Sequence, residues 1–254
     1  MNTFNNAPFN KATTTYQGGK PPVKPFTWSY SRLKNFNTCP SRYNHYDVLK
    51  DVVEEKSEAL TYGDEVHAAM AKRISRGTPL PPALETFEPH AAKVLEGSLH
   101  NPNVKVLVER KYAIRRDYTP CGYFDKDVWY RAVADALRLQ GAVALLVDWK
   151  TGGQPNNERK VREIIPQLWL ACAAVFAHHP EVNAMVAKFV WLDHHAETTL
   201  KIYRHQMKAF WEHILPEVAK LQEAHLTNNF PPKPSGLCRD FCGVQSCEYY
   251  GVGA

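Results

Sequence analysis

The stretch Val143–Gly152 carries the clearest chemistry in the chain: an apolar run that ends in Asp148-Trp149-Lys150-Thr151-Gly152. In a β-strand, residues two apart point to the same face, so Asp148 and Lys150 project together from the strand end. Such a pair is costly beside apolar surface unless it has partners. Asp135, on the preceding strand across a hairpin, is placed to be one. Two converging carboxylates suit a hard cation such as Mg2+, which takes oxygen ligands. A lysine beside them can steady developing negative charge or orient a water. Taken alone, the pair reads equally well as a surface salt bridge at a strand end.

Other residues shift that balance. In Gly63-Asp64-Glu65-Val66-His67 the histidine lies one helical turn past a glycine. A glycine lets another backbone come close. His67 can then supply the nitrogen ligand that a two-carboxylate site lacks, although a single helical histidine is more often structural. Glu109, on the strand before Asp135, can add a carboxylate, and Gln167, in the helix after the lysine, can contact the lysine or the substrate backbone.

Basic residues form two groups. Arg110, Lys111, Arg115 and Arg116 lie on and after one strand, and Arg159, Lys160 and Arg162 open the helix after the lysine motif. Backbone N–H groups and basic side chains at a helix start can hold phosphates. Each group also reads as a solvated charged face. Trp149 and Trp169 can stack on unpaired bases, but both adjoin apolar runs, which favours the core. Cys238-x3-Cys242-x4-Cys247 brings three thiols close together near the C-terminus, a pattern of metal sites where disulfides are rare. Four thiolates would suit tetrahedral Zn2+, and these three need a fourth. Cys121 and Cys172 are bystanders, one in a loop and one in an apolar helix.

The elements that must position these groups follow from periodicity and punctuation. Ser29 caps a short helix with Leu33 and Phe36 on one face, which stops before Cys39-Pro40 because a residue before proline leaves the helical region. Residues 58–76 form a helix with Leu60, Val66, Ala69, Met70 and Ile74 as its stripe, and residues 82–97 form another. Strands are expected at 104–114, 128–137 and 143–148, the last two joined by a turn at Gln140-Gly141. A helix over 159–178, with Pro166 near its start or at a kink, precedes strands at 185–192 and 199–203. A long helix over 205–226 turns Phe210, Ile214, Val218 and Leu221 inward, with a kink at Pro216. Phe230-Pro231-Pro232-Lys233-Pro234 is an extended run. This order predicts a mixed α/β core with a helical N-terminal part.

The chain has 254 residues, 44% hydrophobic and 22% charged, which is ordinary globular composition. A net charge of +5 permits a nucleic-acid partner without demanding one. Residues 1–27 hold three lysines, no acid and many Asn, Thr and Pro, and read as a disordered basic tail or an arm that touches phosphates or a partner. The apolar runs fall short of the roughly 20 residues of a membrane span, and the first residues lack the apolar run of a secretory signal. The expectation is a cytoplasmic protein with no membrane partner.

Taken in order, Gly63-x-x-x-His67, Glu109, Asp135, Asp148-x-Lys150 and Gln167 resemble the motif series of the PD-(D/E)XK nuclease superfamily, in its RecB-type branch. That branch includes AddB-like nuclease domains and the iron–sulfur exonucleases of CRISPR adaptation. Ser29-Tyr30-Ser31-Arg32-Leu33 and Phe36-x-x-Cys39-Pro40-x-x-Tyr43 resemble its N-terminal signature. The resemblance implies a restriction-endonuclease-like core, a mixed central sheet flanked by helices, in one nuclease domain over 28–254. Its parts would be a helical region (28–100), a catalytic core (101–227) and a cluster-binding segment (228–254).

The resemblance also implies that His67, Asp135, Asp148 and the Trp149 carbonyl hold Mg2+ or Mn2+. Lys150 would orient the attacking water, with Glu109 and Gln167 completing the catalytic set. Cys39, Cys238, Cys242 and Cys247 would bind a [4Fe–4S] cluster that staples the chain ends, with Zn2+ as the alternative. The substrate would be DNA, single-stranded or frayed, and Arg110, Lys111, Arg159, Lys160 and Arg162 would contact it. The chain lacks a helicase phosphate-binding motif, so unwinding would need a helicase or recombination partner, as in a phage enzyme working in its host's cytoplasm. Three positions depart from the family pattern: Ala132 where glycine is usual, Ala171 where tyrosine is usual, and one cysteine shifted by one place. They leave room for two rivals, a silent nuclease-fold module that binds DNA or protein, and a zinc-stapled interaction protein.

Overall fold

The computed structural model describes residues 26–53, 57–98 and 101–252. The expected basic tail lies outside these residues except for Phe26 and Thr27, which pack onto the body: Phe26 contacts the His225 ring, and Thr27 Oγ1 donates to the Val128 carbonyl at 2.7 Å.

Six strands form one mixed sheet: β1 (Val104–Ile114), β2 (Pro120–Cys121), β3 (Tyr130–Gln140), β4 (Val143–Lys150), β5 (Ala184–Trp191) and β6 (Ala196–Tyr203), in the order β2-β1-β3-β4-β5-β6. All neighbours are antiparallel except β4 and β5, which run parallel. A parallel pair needs a crossover, and α5 (Glu158–His178) supplies it. The other helices are α1 (Tyr30–Thr38), α2 (Pro40–Tyr43), α3 (Glu58–Arg76), α4 (Glu88–Leu95), α6 (Met207–Thr227) and α7 (Leu237–Asp240).

The two faces of the sheet bury different cores. On one, Leu137, Leu139, Leu146 and Phe189 meet Leu168, Phe176, Trp211 and Leu221 from α5 and α6. On the other, Ala136, Val147, Trp149 and Val190 meet Val66, Met70 and Ile74 of α3 and Val94 of α4. The mixed α/β core flanked by helices is therefore as the sequence predicts.

Local chemistry explains most boundaries. Ser29, Ser57 and Asn157 cap α1, α3 and α5, each accepting a backbone N–H three residues on. Gly77, left-handed at φ 69°, ends α3. Arg204 satisfies carbonyls at the end of α5, donating to Phe176 at 2.8 Å, His179 at 2.6 Å and Val182 at 2.9 Å. That anchor holds the helix carrying Gln167.

Two expectations need correction. Residues 82–97 do not form one helix: a 3-10 turn (Pro82–Phe87) precedes α4, whose first turn takes Pro89, because proline has no N–H to bond backwards. Leu60 is exposed, since the first turn of α3 overhangs the core that Val66, Met70 and Ile74 reach. Pro166 and Pro216, the positions where kinks are expected, both lie inside helices.

Candidate active site

The site forms where β3 and β4 part. Their ladder ends at the pair Ala136↔Val147. Beyond it the Asp135 carboxylate takes the place of a ladder carbonyl: Oδ2 accepts the Trp149 N–H at 2.9 Å. β4 stays paired to β5 as far as Lys150↔Trp191, so Asp148 and Lys150 remain on a rigid strand.

Glu109 faces the same gap. Val108↔Ala136 and Arg110↔Ala134 are paired, and Glu109 and Asp135 between them are not. Glu109 has φ 48°, the left-handed region, in mid-strand. Non-glycine residues rarely hold that conformation, and it concentrates at functional sites. The irregularity exchanges the faces of both strands. Val108 and Ala136 face the α3 core, whereas Tyr112 and Ala134 face the α5 core. His67 reaches in from α3, and donor atoms of His67, Glu109 and Asp135 all lie within 4.8 Å of one another.

His67 Nε2 donates to the Trp149 carbonyl at 3.1 Å, and its Nδ1 lies 3.4 Å from Asp135 Oδ2. Gly63, one turn earlier, faces the end of β4: a Cβ there would sit 3.2 Å from Thr151 Oγ1. Glycine thus sets the close approach that brings His67 to the strand.

The other half of the site is a closed polar chain. Gln167 Nε2 donates to Asp148 Oδ2 at 2.6 Å, and Lys150 Nζ donates to Gln167 Oε1 at 3.2 Å. Lys150 Nζ also lies 2.6 Å from Asp148 Oδ1 as an ion pair. The Phe189 ring, 5.0 Å below the ammonium, forms the floor. Phe189 had no signal in the sequence, where it is one more apolar residue of a buried strand.

The electrostatics favour a cation. Burial, then the neighbouring Asp148, pushes the Asp135 carboxyl well above the usual carboxylate range. Burial likewise raises Asp148 against the opposing pull of Lys150, and raises Glu109. Like charges held together in a desolvated cleft are the circumstance a divalent ion relieves. The imidazole, the carboxylates and the Trp149 carbonyl are a donor set that fits a hard divalent ion.

A match to the family model of the PD-(D/E)XK nuclease superfamily extends over residues 27–249. The chain belongs to the PD-(D/E)XK nuclease superfamily. In this PD-(D/E)XK chain Ala132 and Ala171, two of the three departures from the usual pattern, are partly buried and pack against the large core. No curated protein matches the chain. Among solved structures, a Eubacterium rectale protein assigned as an exonuclease superposes with a TM-score of 0.52 at 13% identity, covering 85% of this chain and 86% of that one. LHK-Exo in complex with dAMP superposes with a TM-score of 0.42 at 14% identity, over 81% and 90%.

The remaining expected residues fall in separate places. Arg110 and Lys111 are adjacent in sequence and take opposite faces of β1: Arg110 lies by Tyr112 and His178, and Lys111 over the rings of Tyr123 and Phe124. At the exposed start of α5, Arg162 pairs with Glu158 at 2.9 Å and Arg159 with Glu163 at 3.6 Å, with Lys160 beside them. Trp149 is buried in the α3 core and Trp169 stacks on Phe210, so both are packing residues.

Cys39, Cys238, Cys242 and Cys247 are half-buried free thiols where the two ends of the fold meet. The Lys233 N–H donates to Cys39 Sγ at 3.4 Å, the Ser235 N–H to Cys238 Sγ at 3.4 Å, and the Gly243 N–H to Tyr46 Oη at 2.9 Å. Among the described residues, no three of these sulfurs lie within 4.8 Å of one another. No described helix is long and apolar enough to cross a membrane.

Proposed function

We propose that this chain is a nuclease of the RecB-type branch that hydrolyses DNA with Mg2+ or Mn2+, acting as an exonuclease on single-stranded or frayed ends. One observation carries the reading: His67, Glu109 and Asp135 converge at the point where β3 and β4 separate, beside the Asp148–Lys150–Gln167 chain.

In this reading His67, Asp135, Asp148 and the Trp149 carbonyl hold the ion, with Glu109 in reach. A bound divalent ion polarises the scissile phosphate and lowers the pKa of a water. Lys150 is held between Asp148 and Gln167, so its ammonium keeps one position, from which it orients the water and steadies charge on the phosphate. Gln167 fixes the lysine, and the buried floor of Phe189 limits competing water. The exposed basic start of α5 offers N–H groups and cations to the DNA backbone.

We further propose that Cys39, Cys238, Cys242 and Cys247 take a [4Fe–4S] cluster. The N–H bonds onto two of the sulfurs are of the kind that tune such clusters. Anaerobic purification with iron and sulfide analysis tests this; zinc in their place selects the alternative, and neither metal refutes both.

The deciding experiment is digestion of end-labelled single-stranded DNA by wild type and Lys150→Ala, each in Mg2+, Mn2+ and EDTA. Metal-dependent cutting by wild type, reduced about 100-fold or more in the variant, is the expected result. Binding without cutting in any metal would make the chain a DNA-binding module.

A further inference from the structure

Beyond the site, the face-exchange at Glu109 and Asp135 leaves a second feature on the α3 side of the sheet. Lys111 pairs with Val133, and Ala113 with Arg131. Their alternating neighbours Tyr112, Ile114, Tyr130 and Ala134 are buried in the α5 core. Lys111, Val133 and Arg131 therefore face the side from which His67 enters. Arg131 lies four residues along β3 from Asp135, about 13 Å in an extended strand.

At that distance stands the loop after β2. Its tip is a turn closed by Asp125 N–H donating to the Gly122 carbonyl at 3.1 Å and Gly122 N–H to Asp125 Oδ2 at 2.8 Å. A Cβ at Gly122 would sit 2.6 Å from that carboxylate, so Asp125 closes tightly over the glycine. Arg131 Nε donates to the Tyr123 carbonyl at 2.8 Å. Arg115 pairs with Asp127 at 2.5 Å and with Asp125 at 3.6 Å. This loop is braced at every corner, yet it holds Phe124 80% exposed. Lys111 Nζ lies 5.5 Å from the Tyr123 ring and 5.6 Å from the Phe124 ring, and the Arg131 guanidinium 5.2 Å from Tyr123.

An exposed aromatic ring beside cations is the combination that single-strand binders use, with bases stacking on the ring and the charges tracking the backbone. Here Lys111 lies beside Phe124, and Arg131 beside Tyr123, on the face that leads to the carboxylates. We propose that Phe124, set edge-on against the Tyr123 ring at 5.2 Å, is a stacking platform for a base of single-stranded DNA, with Lys111 and Arg131 taking the adjoining phosphates. The platform rests on the nuclease reading and deepens it: it gives the site a preference for strands whose bases are unpaired, because a paired base has no free face to stack. Cys121, Asp125 and Asp127 also approach one another here, but Arg115 already pairs with both carboxylates, so they serve the loop.

The test is equilibrium binding of a fluorescent oligothymidylate in EDTA to wild type, Phe124→Ala, Phe124→Trp and Lys111→Ala, with thermal melts to establish that each variant is folded. Phe124→Ala is expected to weaken binding roughly tenfold, by the same ratio at low and high salt, and Phe124→Trp to retain it. Lys111→Ala is expected to flatten the salt dependence by about one charge. Equal binding by wild type and Phe124→Ala overturns the platform. So does a Phe124→Ala effect confined to self-association in sedimentation, which would make the tip a protein contact. Wild type that binds as expected but cuts nothing in Mg2+ or Mn2+ overturns the nuclease reading and leaves the platform standing.

Discussion

Asp135 accepts the backbone N–H of Trp149 at 2.9 Å, one residue beyond the last ladder pair of β3 and β4. A side-chain oxygen thus replaces a main-chain one, and the two strands separate without leaving that N–H unsatisfied. The separation opens the cleft between Asp135 and Asp148. The same bond turns one Asp135 oxygen toward the strand end, where His67 reaches it at 3.4 Å.

This dual role makes Asp135→Asn informative. The amide oxygen still accepts the Trp149 N–H, but the buried like charge beside Asp148 is gone. The variant is expected to melt higher than wild type in EDTA by an amount on the order of 1 kcal/mol, and to lose nearly all metal-dependent cutting. Thermal melts with and without Mg2+ check it. A variant that melts lower in EDTA would mean that the carboxylate stabilises the fold.

Gly63 gives a second test, because only a hydrogen fits easily against Thr151 Oγ1. Gly63→Ala should add helix propensity of about 1 kcal/mol and press α3 away from β4, moving His67 from the carboxylates. Stability is expected to change little while activity falls. Adding Thr151→Ala removes the obstructing oxygen and should restore most of the activity. If the double variant stays as weak as Gly63→Ala, the contact does not position His67.

His225 predicts how the joint between the chain ends responds to acid. Burial lowers its pKa, aided by the Arg32 charge, and its ring bonds the Tyr43 hydroxyl at 2.8 Å between Phe26 and Phe230. With the folded pKa below the unfolded value near 6.5, the unfolded state binds the extra proton first. Stability is therefore present above about pH 6.5 and lost as pH falls from there toward the folded pKa. His225→Asn should melt lower at pH 7.5 and lose less between pH 7.5 and 5.5. An unchanged pH slope would show that the other buried histidines, His90 and His178, carry the effect.

Much of the site was legible because its signals are local. Asp148-x-Lys150 at the end of an apolar strand and Gly63-x-x-x-His67 on an apolar helix each declare a face by periodicity alone, and the structure brings both to one cleft. Glu109 was legible as a carboxylate but not as a left-handed residue, since nothing in Val-Glu-Arg-Lys announces a break in a strand. The pair Arg110-Lys111 looked like one basic patch because sequence proximity hides the alternation that sends the two side chains apart.

By itself the sequence determined the element order, the caps, the two apolar stripes that make a sheet with helices on both sides, and which residue types could bind metal. These depend on contacts a few residues long. The tertiary structure decided the rest: the parting of β3 from β4 at Asp135, the exchange of faces at Glu109, and the braced loop that lifts Phe124 into solvent. Each rests on groups brought together only by strand pairing and packing, such as Asp135 with Trp149 or His67 with Trp149. Their energies exist only once the strands have paired, so no local pattern encodes them.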